Sequence, residues 1–335
     1  MQFSVYQESH IGGRKVNQDR MGYSFTRDAL LLVLADGMGG HLNGEIAAAL
    51  TMQTLSAMFQ QQATPYVKKP ERFLEDAFLA THHEIHRHKA ANNLPDTPRT
   101  TVVACLIQHN TATWAHCGDS RLYWLRHGEI LGRTRDHSHI ENLIAKGLVA
   151  SSERATHPDR NKLYNCLGAS NVPRVEVSRR ASLLPGDVML LCSDGLWSML
   201  GDQDIAQRLR TQTIVRAVPD MLKAALELAG PGSDNATALA IMWQGSSVVD
   251  GVASVTADMS TVISTEALPD DLIGSTMGGA KLGAATRPQA SAHEPDHAHG
   301  NTPAPADGDA FDEDEIEKAI AEIRDAIEKS SQILK

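Results

Sequence analysis

The apolar run at residues 30–35, LLLVLA, ends directly at Asp36. Six apolar residues without alternation predict a strand buried on both faces, because a strand with one solvated face alternates apolar and polar residues. Gly37, Gly39 and Gly40 follow the aspartate. A carboxylate and a glycine turn at the mouth of a buried strand can hold a hard cation through side-chain and backbone oxygens. The same residues are common in ordinary turns, so this stretch alone leaves both interpretations open.

Three further aspartates stand at the ends of apolar, strand-like runs: Asp119 after TATWAHC, Asp194 after VMLLC, and Asp234 before ATALAIMW. Like charges gathered in one site cannot all stay ionised without counter-ions, so four such carboxylates together favour bound divalent cations. Oxygen ligands without accompanying Cys or His indicate Mg²⁺ or Mn²⁺ and argue against zinc. The sequence therefore predicts a carboxylate-rich metal site that includes Asp36.

Composition limits the class of protein. The chain has 335 residues, 42% of them apolar, which allows a sizeable core in one large domain with an appendage or in two domains. No apolar run reaches the roughly 18 to 20 residues that span a bilayer, and the start MQFSVYQESH is unlike a secretory signal. The four cysteines are widely spaced and form no CxxC pair, so neither disulfides nor a zinc site are expected. We expect a cytoplasmic protein with no membrane partner.

The net charge of −10 comes from the end of the chain. From residue 246 onward there are 17 acidic and 6 basic residues, against 24 acidic and 25 basic residues before it. A nearly neutral body without a basic stripe gives no support for nucleic-acid binding. Residues 246–310 are rich in Ala, Gly, Ser, Thr, Pro and Asp, and we expect them to form a disordered acidic linker.

Residues 311–335 differ from that linker. Ile316, Ile320, Ile323 and Ile327 are spaced by four, three and four positions, which predicts an amphipathic C-terminal helix. A single helix of this length is marginal in water. We therefore expect it to bind a partner protein, a second copy of itself or the preceding domain, with a frayed surface helix as the alternative.

Eight short sequence motifs occur one after another along residues 1–245. They are RKVNQD (14–19), ADGMGGH (35–41), TT (100–101), CGDSR (117–121), DHS (136–138), HPDRN with LG downstream (157–168), CSDGLW (192–197) and SDNATAL (233–239). Together they resemble the bacterial metal-dependent serine/threonine protein phosphatases of the type 2C (PPM) family. The resemblance makes residues 1–245 the catalytic domain. It implies an α+β fold, a four-layer αββα sandwich of two antiparallel β-sheets flanked by helices.

The resemblance also assigns the metal ligands. Asp36 would bridge two Mn²⁺ or Mg²⁺ ions, and Gly37 would offer its carbonyl oxygen to one of them. Asp194 and Asp234 would complete the shell of the other ion. Asp119 would hold a third, weaker ion.

The resemblance also implies that Arg14 binds the substrate phosphate beside the metals, since its planar guanidinium matches two phosphate oxygens. Gln18 stands where many relatives have Glu, so a neutral oxygen there would bind the second metal more weakly. Asp19 would order waters beside the metals. Met38 stands where eukaryotic relatives have a histidine proposed as general acid. We expect water to serve as the acid, and the role of His41 is open.

The implied reaction is hydrolysis of phosphoserine and phosphothreonine monoesters in proteins by a metal-activated bridging water at a dinuclear site. Its counterpart would be a bacterial Ser/Thr kinase of the eukaryotic type. Two alternatives stay open: a catalytically weak module that binds phosphoproteins, and a hydrolase of small phosphate esters. The absence of GxxxxGK[ST] weighs against a nucleotide-specific enzyme.

Residues 147–161 correspond to the flap of the family, and we expect them to be mobile.

Overall fold

The computed structural model describes residues 1–38, 43–150, 153–154, 157–160 and 162–245, together with the backbone of 260–264. The roles expected of Gly39, Gly40 and His41 lie outside these residues, as does the helix expected at 311–335. The chain divides into a unit from Met1 to Ser275 and a second unit, Thr276–Lys335. The second unit lies wholly outside the described residues.

The described residues form twelve strands and six α-helices. The strands are β1 (Gln2–His10), β2 (Asp19–Phe25), β3 (Ala29–Asp36), β4 (Val102–Gln108), β5 (Thr111–Cys117), β6 (Arg121–Arg126), β7 (Glu129–Arg133), β8 (Glu176–Val177), β9 (Ala181–Ser182), β10 (Val188–Cys192), β11 (Ala236–Gly245) and β12 (Ser260–Ser264). The helices are α1 (Gly44–Gln62), α2 (Pro70–Ala91), α3 (His139–Ala145), α4 (Asp194–Trp197), α5 (Asp202–Thr211) and α6 (Ile214–Ala229). In the described part of the chain, no helix combines the length and the apolar character needed to cross a membrane.

Two antiparallel sheets pack face to face between layers of helices. One sheet has the strand order β1-β11-β10-β6-β7, and the other has the order β12-β2-β3-β4-β5-β8, with β9 also paired to β5. Helices α1 and α2 cover the outer face of the second sheet, and α4, α5 and α6 cover the outer face of the first. A third apolar cluster fills the space between the sheets. This is the four-layer αββα sandwich that the resemblance implies.

Strand β3 shows why the run at residues 30–35 is continuously apolar. Leu31 and Val33 lie in the cluster beneath α1 and α2, whereas Leu30, Leu32 and Leu34 lie in the cluster between the sheets. Each is at most 1% exposed, which confirms a strand buried on both faces. Since β3 also pairs with β2 and β4 on its two edges, its end is firmly placed.

Asn43 directly precedes α1, where asparagine is among the preferred N-cap residues. The helix begins at Gly44, but Asn43 is not a side-chain N-cap. Its backbone is left-handed, with φ of 67°, and its side chain makes no capping hydrogen bond, because capping needs an extended backbone at that residue. Close packing replaces the cap: a Cβ on Gly37 would overlap the backbone of Gly44. The approach of β3 to α1 therefore requires glycine at residue 37.

Strand β12 lies within the segment 246–310, which the sequence predicts to be a disordered linker. It pairs antiparallel with β2, from Ser260 opposite Phe25 to Ser264 opposite Met21. The sheet therefore continues past the predicted domain end at residue 245. The β-branched run TVI suits a strand, but so short a run in a Gly- and Ala-rich segment gives little signal unless the open edge of β2 is known.

We predict that a chain ending at residue 275 is more stable than one ending at residue 259. The shorter chain lacks β12 and leaves backbone N–H and C=O groups of β2 at an open sheet edge. The lost pairing corresponds to a decrease of about 1–3 kcal/mol in the free energy of unfolding. Urea unfolding followed by circular dichroism measures the difference, and a chain ending at residue 245 should match the one ending at 259. Equal midpoints for the chains ending at 259 and 275 would contradict the contribution of β12.

Candidate metal centre

The paired ends of β2 and β3 bring Asp19 and Asp36 directly opposite one another. The backbone carbonyl of Asp36 accepts a hydrogen bond of 2.8 Å from the Thr100 hydroxyl, which fixes the end of the strand. Oδ2 of Asp19 accepts a hydrogen bond of 2.7 Å from the Ser193 hydroxyl. Ser193 immediately precedes Asp194, so this bond joins the aspartates of the second sheet to an aspartate of the first.

Asp234 lies at the same end of the sheets as Asp194, although it comes before its strand in the chain. Because β10 and β11 are antiparallel, with Cys192 opposite Ala238, the end of β10 and the start of β11 share one edge of the sheet. Asp194 therefore follows its strand, and Asp234 precedes its own. Arg14 joins them there, with Nη2 at 2.6 Å from Oδ2 of Asp234; the two side chains are 53% and 40% exposed.

Asn235, which the sequence reasoning did not single out, holds the loop that carries Arg14. Its Nδ2 donates hydrogen bonds to the carbonyl oxygens of Ile11 (2.8 Å) and Val16 (3.2 Å). Its Oδ1 accepts one from the backbone N–H of Gln18 at 2.8 Å. Three hydrogen bonds from one side chain thus define the loop. The available signal was the polar run SDN before a buried strand, since Asn side chains commonly bond to loop backbone.

Asp119 is placed by the turn that follows β5. Gly118 has φ of +113°, and the side chain of Thr101 packs where a Cβ would stand, so this position requires glycine. Burial raises the pKa of Asp119 to about 7, with repulsion from Asp136 adding to the rise and Arg121 opposing it. The fourth strand-end carboxylate is therefore buried beside the others.

The pKa values of the carboxyl groups show what their assembly costs. Burial raises the pKa of Asp36 well above its usual range, and repulsion from Asp19 and Asp194 adds to the rise. Burial, followed by repulsion from Asp119 and Asp234, does the same for the pKa of Asp194. Burial also raises the pKa of Asp19 to about 6, although hydroxyl donors oppose the rise. Each ionised carboxylate makes the next harder to ionise, so the cluster favours cations at neutral pH.

The donor set fits Mg²⁺ or Mn²⁺. Oδ1 of Asp19 is buried and has no hydrogen-bond partner among the described residues, and such an atom calls for an ion or an ordered water. Asp36, Asp194 and Asp234, with the carbonyl of Gly37, would hold the ions. All of these are hard oxygen donors of the kind that these two metals prefer.

Gln18 lies just behind this donor set. Its Nε2 donates a hydrogen bond of 2.9 Å to Oε2 of Glu45, in the first turn of α1, and its backbone carbonyl accepts one of 3.1 Å from the N–H of Gly37. Glu45 is a second residue that the sequence reasoning missed, and it orients the amide of Gln18. The role of Gln18 toward metal or water stays a prediction.

A profile of the protein phosphatase 2C family matches residues 6–229, which include Arg14, Asp36, Asp119 and Asp194. The chain belongs to the protein phosphatase 2C family. Among curated relatives, the serine/threonine protein phosphatase PstP of Mycobacterium tuberculosis is 32% identical over 209 residues, which are 62% of this chain. The match spans 39% of the length of PstP. The serine/threonine phosphatase stp of Listeria monocytogenes is 28% identical over 233 residues, 68% of this chain and 90% of stp.

A solved structure supports the phosphatase 2C fold and the type of metal. The catalytic domain of the serine/threonine protein phosphatase PstP, in complex with two manganese ions, superposes with a TM-score of 0.60 and 27% identity. The superposition covers 72% of this chain and 97% of that domain. Manganese in that structure agrees with the Mn²⁺ or Mg²⁺ cofactor predicted from the strand-end aspartates.

A second group of potential ligands lies near the phosphatase 2C aspartates but is not suited to a metal. Ligand atoms of His116, His137 and Glu176 lie within 4.8 Å of one another. Nδ1 of His137 accepts hydrogen bonds from Asn165 (2.7 Å) and from the N–H of Gly118 (3.2 Å). The ring proton is therefore on Nε2, facing Glu176 at 3.4 Å, and a metal there would have to displace it. Burial lowers the pKa of His137 to about 4, so the ring is neutral.

We predict that Asp36→Asn raises the melting temperature in EDTA at pH 8 and has a smaller effect at pH 5. The pKa of Asp36 is raised in the folded protein, so between the unfolded value of about 4 and the folded value the folded state binds more protons. Ionisation of Asp36 therefore lowers the free energy of unfolding as the pH rises. The uncharged amide of the variant does not ionise, so the variant avoids this decrease. Differential scanning fluorimetry measures the shift, with the exposed Asp220→Asn as the matched control.

In saturating Mn²⁺ at pH 8, the wild type is expected to melt at a higher temperature than Asp36→Asn, the reverse of the order in EDTA. The reason is that the wild type gains stability from an ion that the variant binds less tightly. If the wild type were the more stable protein in EDTA at pH 8, repulsion among the carboxylates would not control the stability of this site.

Proposed function

We propose that this member of the phosphatase 2C family hydrolyses phosphoserine and phosphothreonine monoesters in proteins at a dinuclear Mn²⁺ or Mg²⁺ site, and that it opposes a Ser/Thr kinase. One observation carries the proposal: Asp36, Asp194 and Asp234 converge with Arg14 at the shared end of the two sheets. Carboxylates that favour divalent cations, beside an accessible guanidinium, are what phosphoryl transfer to water requires. The relatives named serine/threonine phosphatases support the same class of substrate.

The aspartates and the carbonyl of Gly37 would hold the ions. When bound, the ions would supply Lewis-acid polarisation of the phosphate and would lower the pKa of a water for hydrolysis. The fixed ends of β3, β10 and β11 set the spacing of these ligands before any ion arrives, which reduces the reorganisation needed for the reaction.

Arg14 would bind two oxygens of the substrate phosphate. Its loop is fixed by Asn235, and its contact with Asp234 at 2.6 Å orients the guanidinium. A guanidinium carries five N–H donors, so one contact with Asp234 leaves donors for the phosphate. Asp19, buried and bonded to Ser193, would accept a hydrogen bond from water at the site and hold that water in line.

The alternative function, a regulatory module that binds phosphoproteins without turnover, shares the same site. The cluster of aspartates favours turnover over binding alone. Binding a phosphate requires positive charge, and a module that only binds would gain nothing from carboxylates that repel one another. The four cysteines are free thiols, all buried, which suits the reducing cytoplasm that we propose as its location. A partner for residues 311–335 stays a prediction, as that segment lies outside the described residues.

We predict that the chain releases inorganic phosphate from a phosphothreonine peptide with Mn²⁺, and that EDTA or Asp36→Asn lowers the rate by about 100-fold or more. Loss of the ions removes several kcal/mol of transition-state stabilisation, and each 1.4 kcal/mol corresponds to about tenfold in rate. A malachite-green assay measures the phosphate, and Asp220→Asn should retain the wild-type rate. Undiminished activity in EDTA would exclude the metal mechanism. Peptide binding without release under any metal would favour the regulatory module.

We predict that Arg14→Ala lowers kcat/KM for the peptide by about 10- to 100-fold at saturating Mn²⁺. A charge-assisted hydrogen bond contributes about 1.5–3 kcal/mol, and the variant loses such bonds to the phosphate. Arg14→Lys should recover part of the loss, because it keeps the charge without the fork. Arg27→Ala is the control, since it removes an exposed Arg–Asp pair of 3.0 Å elsewhere. Equal kcat/KM values for Arg14→Ala and Arg27→Ala would show that Arg14 does not bind substrate.

A further inference from the structure

The Gly118–Asp119 turn is held by two side chains that are not metal ligands. The first, His137, binds Gly118 twice. Its backbone N–H donates to the Gly118 carbonyl at 2.9 Å, and its Nδ1 accepts from the Gly118 N–H at 3.2 Å. Asn165 donates to the same Nδ1 at 2.7 Å, so the imidazole is fixed in orientation. One half of the turn is thus anchored to the segment before α3.

The second side chain, Trp197, holds the other half of the turn. Its indole Nε1–H donates a hydrogen bond of 3.0 Å to the carbonyl oxygen of Asp119. Trp197 is the last residue of α4, and Asp194 is the first. A hydrogen bond of 2.9 Å from the N–H of Ser198 to the carbonyl of Asp194 closes this helical turn. One short rigid element therefore carries one carboxylate and holds the backbone of a second.

Arg121 fixes the ring of Trp197. The guanidinium carbon lies 3.6 Å from the ring centroid, and Asp136 binds the guanidinium through two hydrogen bonds of 2.8 and 2.7 Å. Both partners of this ion pair are buried. A cation–π contact is strongest where water is excluded, and moving the ring would expose one side of a buried ion pair. The indole N–H is therefore held in its direction toward Asp119.

The two carboxylates that Trp197 connects are electrostatic neighbours. Among the charges that act on Asp194, that of Asp119 contributes most to raising its pKa. Carboxylates that repel each other separate unless their backbones are restrained. The spacing of this pair consequently depends on what holds the Asp119 backbone, and α4 does so through Trp197.

We propose that Trp197 is a positioning residue for the third metal ion that Asp119 would hold: its indole N–H fixes the Asp119 backbone relative to Asp194 and so sets the affinity of that ion. The proposal rests on the proposed function only for its catalytic readout. A ring that merely fills space against Arg121 would do so without its N–H group. The replacement Trp197→Phe separates these roles, because phenylalanine keeps an aromatic face for Arg121 and removes the donor.

The test is a calorimetric titration of Mn²⁺ into the full chain and into Trp197→Phe. The weakest binding step should lose about tenfold in affinity, the lower end of the effect of partners that orient a metal ligand. The tighter steps should change by less than about twofold. Trp124→Phe is the matched control, since it removes an indole donor to Asp187 (3.0 Å) at the far end of β10 and should leave all steps unchanged. If Trp197→Phe melts well below the wild type, Trp197→Tyr repeats the test with another stacking ring.

A double-mutant cycle distinguishes positioning from general stability. Asp119→Asn should remove the weak step, and adding Trp197→Phe to it should then have no further effect on Mn²⁺ binding. Unchanged binding in Trp197→Phe, or an equal loss in every step and in both backgrounds, would overturn the proposal.

Activity gives a second readout: the Mn²⁺ concentration for half-maximal phosphate release should rise about tenfold in Trp197→Phe, while KM for the peptide at saturating Mn²⁺ stays the same. A wild type that releases no phosphate would refute the proposed function, and the calorimetric comparison would still decide the role of Trp197.

Discussion

Repulsion among buried carboxylates is the constraint on which this site depends. Asp19, Asp36, Asp119 and Asp194 have pKa values raised chiefly by burial and then by repulsion from neighbouring carboxylates, which include Asp136 and Asp234. Hydroxyl donors such as Ser193 offset only part of this cost. A fold that holds such a group together must have a rigid frame, because otherwise the carboxylates would separate into solvent. The three apolar clusters supply that frame.

The two sheets explain why the aspartates stand on different sides of their strands in the sequence. In an antiparallel pair, the end of one strand lies beside the start of its neighbour. Asp36 ends β3 and Asp19 begins β2, and the two are register partners. Asp194 follows β10 and Asp234 precedes β11 for the same reason. The site is thus one edge shared by two packed sheets, and its composition follows from strand direction.

Sequence patterns were sufficient where the determining contacts are local. The buried strand β3 follows from its continuous apolar run, with Asp36 at its end. Residues whose role comes from distant partners were not found in this way. Asn235 bonds to residues more than 200 positions away, and Trp197 to one 78 positions away. Strand β12 was missed because its signal is the unpaired edge of β2 and not its own composition.

A count of formal charge relates the metals to the substrate. The five aspartates at positions 19, 36, 119, 194 and 234, with Arg14 beside them, carry a net charge of −4 when all are ionised. Arg121 and Asp136 cancel each other as a buried pair. Two divalent ions bring the site to neutrality, so a third ion would leave it positive. A phosphate dianion restores the balance, since it carries the opposite charge to that ion. A third ion would therefore bind most weakly in the absence of substrate, and on our proposal its affinity would depend on how closely the Trp197 hydrogen bond holds Asp119 toward Asp194.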